Sequence, residues 1–240
     1  MPSTACAVME YKENKLPEKE IKSYIISLNR GISRLEKLGE SVYYPKKHVI
    51  VEAGQFTKYC YVVKKGRVLS YEICSNGEER IYHFNENHSI FLEENLLFGR
   101  PAAVSFRTAC GTELIRIDRT SLMHAIKTDP QIALDIIEST STKFQSSMEQ
   151  VRHTRNYSIA WKICDLMISF AESYGVEYDG KILIREKISQ QLISSMLGVN
   201  RITTVRAIKE LKNLGLIGHS NGYYYANDME RLMEYQKSIE

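Results

Sequence analysis

The sequence is short of paired cysteines. Cys6, Cys60, Cys74, Cys110 and Cys164 are odd in number and widely spread, and no two stand at CxxC spacing. That argues against a zinc or iron–sulfur site built mainly from cysteine. It suits reduced thiols better than a disulfide framework. No apolar run approaches the ~18–20 residues of a membrane span. Residues 1–20 lack the charged-then-apolar layout of a secretory leader. A cytoplasmic chain without membrane attachment is the expectation. There is no internal repeat, low-complexity tract, nucleotide-binding glycine loop, metal-spaced His/Glu pair or Gly-flanked nucleophilic serine. These absences point away from an enzyme and imply no cofactor. A strong excess of one charge is missing too: 32 Lys and Arg against 29 Asp and Glu leave +3. Taken whole, that balance excludes a polybasic protein and does not announce a nucleic-acid partner.

What is present is the composition of a folded protein. Of the 240 residues, 43% are hydrophobic and 25% charged, enough apolar material for one large or two small domains.

The two halves differ in period. Between residues 42 and 118, short runs rich in Val, Ile, Tyr and Phe alternate with turn signals. The runs are Val49–Val51, Tyr59–Val63, Val68–Ile73, Arg80–Phe84, Val104–Thr108 and Leu114–Ile117. Turn residues recur about every 10–12 positions, a spacing that predicts an all-β sandwich or barrel. Asn76-Gly77 is the strongest hairpin signal, because both residues tolerate the positive φ of a tight turn.

From Asp129 the period becomes helical. Pro130 suits a first helical turn, with Thr128 or Asp129 as cap. A 4-3-4-3-4 spacing selects Ala133, Ile137, Thr140, Phe144, Ser147 and Val151. So narrow a seam predicts pairing with the same helix of a second subunit. The competing reading is a helix packed only on its own β domain. Asn156 and Tyr157 mark a break before an amphipathic helix over Ser158–Ser173, and Lys181–Ile184 reads as a small strand. A further helix is expected within Glu18–Leu38.

Residues 188–217 read ISQQLISSMLGVNRITTVRAIKELKNLGLI. A first helix over Ser189–Leu197 buries Ile193, Met196 and Leu197. Gly198 permits a left-handed turn. Asn200 caps a second helix reaching about Leu214, with Thr204, Ile208 and Leu211 inward. Two short helices joined by a glycine-containing turn form a helix-turn-helix, whose second helix fits the major groove. The following GHSNGYYYAN reads as a wing turning at Asn221-Gly222. Residues 181–219 carry seven cations and two anions, a surplus of five. Phosphate contact needs such a local patch. The plainer alternative is a small helical domain used for protein contacts.

A β-roll, a long helix and a winged helix-turn-helix in that order resemble the CRP/FNR superfamily of bacterial transcription regulators. The most specific stretch is GVNRITTVRAIKELKNLGLI, Gly198–Ile217, and YVVKKGRV at Tyr61–Val68 matches the family's strand-turn-strand. TDPQ at Thr128 through TKF at Thr142 resembles regulators of anaerobic or halorespiratory metabolism. The resemblance implies an α+β fold. An N-terminal extension and β-roll (double-stranded β-helix or jelly-roll) sensor would occupy residues 1–128. A dimerisation helix and hinge would fill 129–156, and a winged helix-turn-helix 157–240.

The resemblance also implies site residues. Arg201 and Arg206 stand where family members place base-reading side chains, and a bidentate arginine–guanine contact contributes about 1–3 kcal/mol of discrimination. Ile202 stands where the cyclic-AMP receptor type is usually acidic, so a different half-site is expected. Asn200, Thr203 and Lys209 would position the backbone. In the cyclic-nucleotide cassette, Glu93 and Gly99-Arg100-Pro101 are kept. Leu92, however, replaces a glycine, and Ala102 and Ala103 replace the phosphate-holding arginine and hydroxyl. Without that guanidinium a buried cyclic phosphate is uncompensated. The expected effector is therefore not cyclic AMP. A small aromatic or carboxylate anion held by Tyr82, Phe84, Glu93, Ala102, Ala103 and Lys143 is the reading, although Lys143 reads equally as a solvated lysine. Expected partners are a second copy of the chain, a near-palindromic duplex DNA operator and RNA polymerase, most simply in activation. The rival is a ligand- or redox-responsive module whose helix-turn-helix contacts protein.

Overall fold

The computed structural model describes residues 24–26 and 32–240. Cys6 and much of the helix expected within Glu18–Leu38 lie outside the described residues. The described part of that segment is not one helix: it holds strand β1 (Ile25–Ile26) and a 3-10 turn at Ile32–Lys37. The described residues fall into two compact units, one within 21–157 and 191–200, the other within 158–190 and 201–240.

The first unit is a β sandwich followed by helices. Its elements are β2 (Glu40–Tyr44), β3 (Val49–Val51), β4 (Tyr59–Lys65), β5 (Val68–Ile73), β6 (Glu79–Asn85), β7 (Ile90–Phe91), α1 (Glu93–Phe98), β8 (Ser105–Thr108), β9 (Thr112–Asp118), α2 (Arg119–Thr128) and α3 (Pro130–Asn156). One sheet runs β1-β6-β5-β8-β3, the other β2-β9-β4-β7. Strand β4 shows why its sequence is nearly unbroken in apolar residues. Tyr61 and Val63 join Val68, Phe91, Phe106 and Leu114 in one buried cluster. Cys60 and Val62 join a second cluster with α1, α2 and α3, through Leu96, Leu122, Ile132 and Ile136. A strand covered on both faces has no solvent side to make polar. Each such side chain, fully buried, contributes about 1.5–3 kcal/mol.

The hairpin at Asn76-Gly77 forms differently from the expectation. Only Gly77 is left-handed, at φ 81°. The turn closes through Cys74 and Glu78, and the Asn76 side chain accepts from the Glu78 N–H at 3.0 Å. One residue of positive φ suffices here, and Asn76 contributes a side-chain bond instead.

Helix α3 begins as its sequence dictates. Asp129 accepts from the Gln131 N–H at 3.1 Å, and Pro130 occupies the first turn. At 27 residues it is about 40 Å long. Ile132, Asp135, Ile136, Ser139, Ser146, Gln150 and His153 are its buried residues.

The second unit contains α4 (Ile159–Tyr174), β10 (Gly175–Tyr178), β11 (Lys181–Ile184), α6 (Arg201–Asn213), β12 (Ile217–Ser220), β13 (Tyr223–Ala226) and α7 (Met229–Ser238). Helix α5 (Gln190–Leu197) precedes α6 in the chain. Ser158 caps α4 by accepting from the Trp161 N–H at 3.1 Å. The strands form one sheet, β10-β11-β13-β12.

Candidate DNA-reading helix and sensor cavity

Helix α6 has two unlike faces. Thr204, Ala207, Ile208 and Leu211 are buried, and the helix packs on α4 and β12. Arg201, Ile202, Thr203, Arg206 and Lys209 are exposed, Ile202 at 63%. Ile202, Arg206 and Lys209 follow i, i+4, i+7 spacing, so they share one outward stripe. Asn200, also exposed, immediately precedes the helix. The turn before it is the expected one: Gly198 is left-handed at φ 61°, and the Val199 N–H reaches the Ser194 carbonyl at 3.2 Å. Five of the six sequence-predicted DNA contacts therefore lie within the first nine residues of one helix, and the sixth adjoins it.

The tyrosines of the wing hold three cations that motif reading did not single out. Asn221 and Gly222 both take positive φ, 52° and 88°, which closes a two-residue hairpin. The Lys187 ammonium lies 5.5 Å from the Tyr223 ring centre, and that of Lys181 lies 5.0 Å from Tyr225. On the other face of β13, Lys212 lies 5.5 Å from Tyr224. Stacking on an aromatic face steadies a cation without neutralising it. The signal was in the sequence, as three consecutive tyrosines opposite lysine-bearing segments.

Helix α3 exposes an apolar stripe that shares Ile137, Phe144 and Val151 with the predicted seam, while its alternate apolar positions, Leu134 and Met148, lie one residue on from Ala133 and Ser147. Ile137, Phe144 and Val151 are 59%, 64% and 51% exposed, and so are Leu134 (56%) and Met148 (51%). Thr140 is exposed, and its hydroxyl bonds back to the Ile136 carbonyl; Ser147, half-buried, does the same to Lys143. Ala133 is also half-buried. The apolar repeat is thus 134, 137, 144, 148, 151. Position 141, where the same 3-4 spacing continues, is Ser141.

In the first unit a cavity of about 240 Å³ lies between β5, β6, the start of α1, β8 and α3. Tyr82 and Lys143 line it, as expected. Ser70, His83, Asn85, Phe91, Leu92, Glu94, Val104, Phe106 and Ser147 line it too. Four predicted effector residues do not: Phe84, Glu93, Ala102 and Ala103. A bulge between Ser70 and Tyr71 shifts the pairing of β5 with β6. Phe84 is buried under the Arg67 guanidinium, 5.2 Å from its ring centre. Ala102 packs in the sandwich core, and Ala103 faces solvent. The Tyr82 hydroxyl donates to Glu72 at 2.6 Å, and burial followed by that bond pushes its pKa up to about 12.

The electrostatics of the cavity centre on one pair. Lys143 Nζ donates to Glu93 Oε1 at 2.5 Å, and Glu93 is only 1% exposed. Lys143 is therefore not a freely solvated lysine, and its charge is already engaged. Burial pushes the Glu93 carboxyl above its ordinary range, and the Lys143 charge pulls it back. Glu93 Oε2 has no partner, nor has the buried Nε2 of His83. Burial, reinforced by the Lys143 charge, lowers the His83 pKa to about 4, so the imidazole is neutral at physiological pH.

Neither Arg100 nor Arg107 lines this cavity. Arg100 lies 5.7 Å from the Phe98 ring centre, and Arg107 forks onto Glu79. Leu92 takes the left-handed conformation, φ 64°, that a glycine adopts freely. Its side chain is buried and closes one wall of the cavity. His83 was not among the predicted effector residues. Its place on the cavity wall follows from strand pairing, which single-residue reading does not reach.

Two family models match this chain. Residues 41–129 match the cyclic nucleotide-binding domain, and residues 160–235 match the Crp-like helix-turn-helix domain. A cAMP-activated global transcriptional regulator CRP from Haemophilus influenzae is 27% identical over 184 residues, covering 75% of this chain and 80% of its own. A CRP-like cAMP-activated global transcriptional regulator from Mycobacterium tuberculosis is 19% identical over 202 residues, covering 84% and 90%. Among solved structures, a CooA mutant from Carboxydothermus hydrogenoformans superposes with a TM-score of 0.72 at 16% identity, covering 88% of this chain and 92% of that one.

Proposed function

We propose, for a chain that belongs to the CRP/FNR superfamily of transcription regulators, a homodimeric DNA-binding activator controlled by a small molecule other than cyclic AMP. The observation that carries the DNA-binding part is the outward stripe of α6. Ile202, Arg206 and Lys209 stand opposite the buried Thr204, Ala207, Ile208 and Leu211, within a segment five charges positive. In this reading Arg201 and Arg206 read base edges, Ile202 packs on a thymine methyl, and Asn200, Thr203 and Lys209 hold phosphates. A two-fold dimer paired along α3 places two such helices about one turn of DNA apart, so the operator is near-palindromic. RNA polymerase is the partner in activation, and the cytoplasm the location.

The two relatives described above are cAMP-activated. The reading departs from them because, among the described residues, no guanidinium lines the cavity and Lys143 is its only cation, held by Glu93. The three-part division at residues 128 and 156 goes with this reading. Selection from randomised duplexes by the full-length protein tests it. A palindromic site is expected, with half-sites different from those of the cyclic-AMP receptor, bound with an affinity that falls steeply with salt. Recovery of no enriched sequence would sink the proposal.

A further inference from the structure

The contact between Lys143 and Glu93 is incomplete. A carboxylate taken wholly out of water needs both oxygens satisfied, or the desolvation penalty is only partly offset. Glu93 Oε1 has Lys143, and Oε2 has nothing. On its other side, Lys143 lines the 240 Å³ cavity together with His83, whose Nε2 is also unpartnered. An anion entering the cavity meets Lys143, the cation that Glu93 is using, and also the exposed Glu94, which lines the same space.

The walls define the rest of that anion. Phe91 and Phe106 are stacked with ring centres 5.1 Å apart, and Leu92 and Val104 close the sides. The space lies below the usual range for drug-sized ligands. It suits one ring and its charged group. We propose that Glu93 is a built-in counter-ion, holding Lys143 until a single-ring carboxylate enters the cavity and takes its place. The inference rests on the reading of this cavity as the effector site for an aromatic carboxylate, and adds the way that effector acts.

The exchange has a mechanical outlet. Helix α1 begins at Glu93, and left-handed residues bracket it, Leu92 at φ 64° and Gly99 at φ 62°. Residues of this kind act as joints. A Glu93 displaced from Lys143 either takes up a proton or turns out to water, and the second course shifts α1. Glu93 and Phe98 of α1 also line an apolar groove of about 360 Å³ shared with Ala133, Ile137 and Thr140 of α3. Movement of α1 therefore reaches the face of α3 along which two copies would pair.

The test titrates the full-length protein calorimetrically with benzoate and with benzamide, its neutral isostere. Wild type is expected to prefer benzoate. Glu93→Gln frees Lys143 and should bind benzoate about tenfold tighter, the scale of one close charge pair. Glu93→Ala, which vacates the same cation, should repeat the gain. Lys143→Met should erase the preference for benzoate over benzamide. Unchanged or weaker benzoate binding in both Glu93 variants overturns the exchange, and so does absence of benzoate binding in wild type and Glu93 variants alike. Val104→Trp fills the cavity and separates the two readings. If it blocks benzoate while the Glu93 variants show no gain, the exchange alone fails. If it leaves benzoate binding intact, the cavity is not the site and both readings fall.

Discussion

The two units use charge in opposite ways. In the second unit the cations face outward: Arg201, Arg206 and Lys209 are exposed on α6, and Lys181 and Lys187 rest on tyrosine rings. In the first, cations turn inward onto carboxylates: Lys143 on Glu93, Arg107 on Glu79, Arg67 on Glu86. The same residue types thus stand open to solvent in one place and are paired with carboxylates in the other. Exposed charge costs little to keep and is free to meet phosphate. Buried charge is tolerated only with a partner, and removing that partner is expensive. Net charge therefore says little about function until it is divided by unit. A total of +3 conceals a basic reading segment of +5 and a remainder of −2.

This contrast can be broken experimentally, beginning where the effect is largest. Lys143→Met leaves Glu93 buried without its cation. It should lower unfolding stability by about 3 kcal/mol, the lower end of the range for a broken buried pair, because Lys143 is partly exposed. Urea denaturation measures this, and an effect under a few tenths would show the pair to be idle. Arg206→Ala should do the reverse, leaving stability unchanged while weakening DNA binding by about 1–3 kcal/mol and relaxing specificity at one base position. Anisotropy titrations against single-base operator variants report both. Lys209→Ala should weaken all duplexes alike and reduce the salt slope by about one unit.

His83→Gln sharpens the contrast with the least effect at neutral pH. The folded protein holds His83 neutral down to about pH 4, whereas the unfolded chain protonates it near its ordinary value of about 6.5. Stability from this group is thus fully present above about pH 6.5 and is lost as pH falls toward 4. The variant should flatten that acid limb, read as melting temperature against pH. A limb of unchanged steepness would place its origin elsewhere.

The legibility of the chain follows the same division. Val68–Ile73 and Lys181–Ile184 emerge from pattern with their observed bounds, as does α3 from its proline and cap. Helix α6 ends one residue short of expectation. These elements carry their own signals: strong period, caps, a left-handed glycine. Missing from the pattern are α1, α2, β7, β10 and α7. They are short, or amphipathic only against neighbours brought in by the fold. Asp118 and Asp228 cap α2 and α7, and these caps were readable but stood beside weak apolar spacing. At the site, the reading helix was legible because consecutive residues build it. The cavity was only half legible, because a strand bulge decides which side chains line it. The apolar stripe of α3 carried a choice at its alternate positions that spacing alone settled differently from burial.

That stripe has a consequence for dosage. An isolated protomer must leave Leu134, Ile137, Phe144, Met148 and Val151 in water, each more than half exposed. If protomers pair along this stripe as proposed, that cost is removed, and the paired form should melt at a temperature that climbs with protein concentration. Operator occupancy would then rise with roughly the square of copy number while protomers predominate. A modest increase in synthesis would turn into a sharper response at the promoter, before any effector is present.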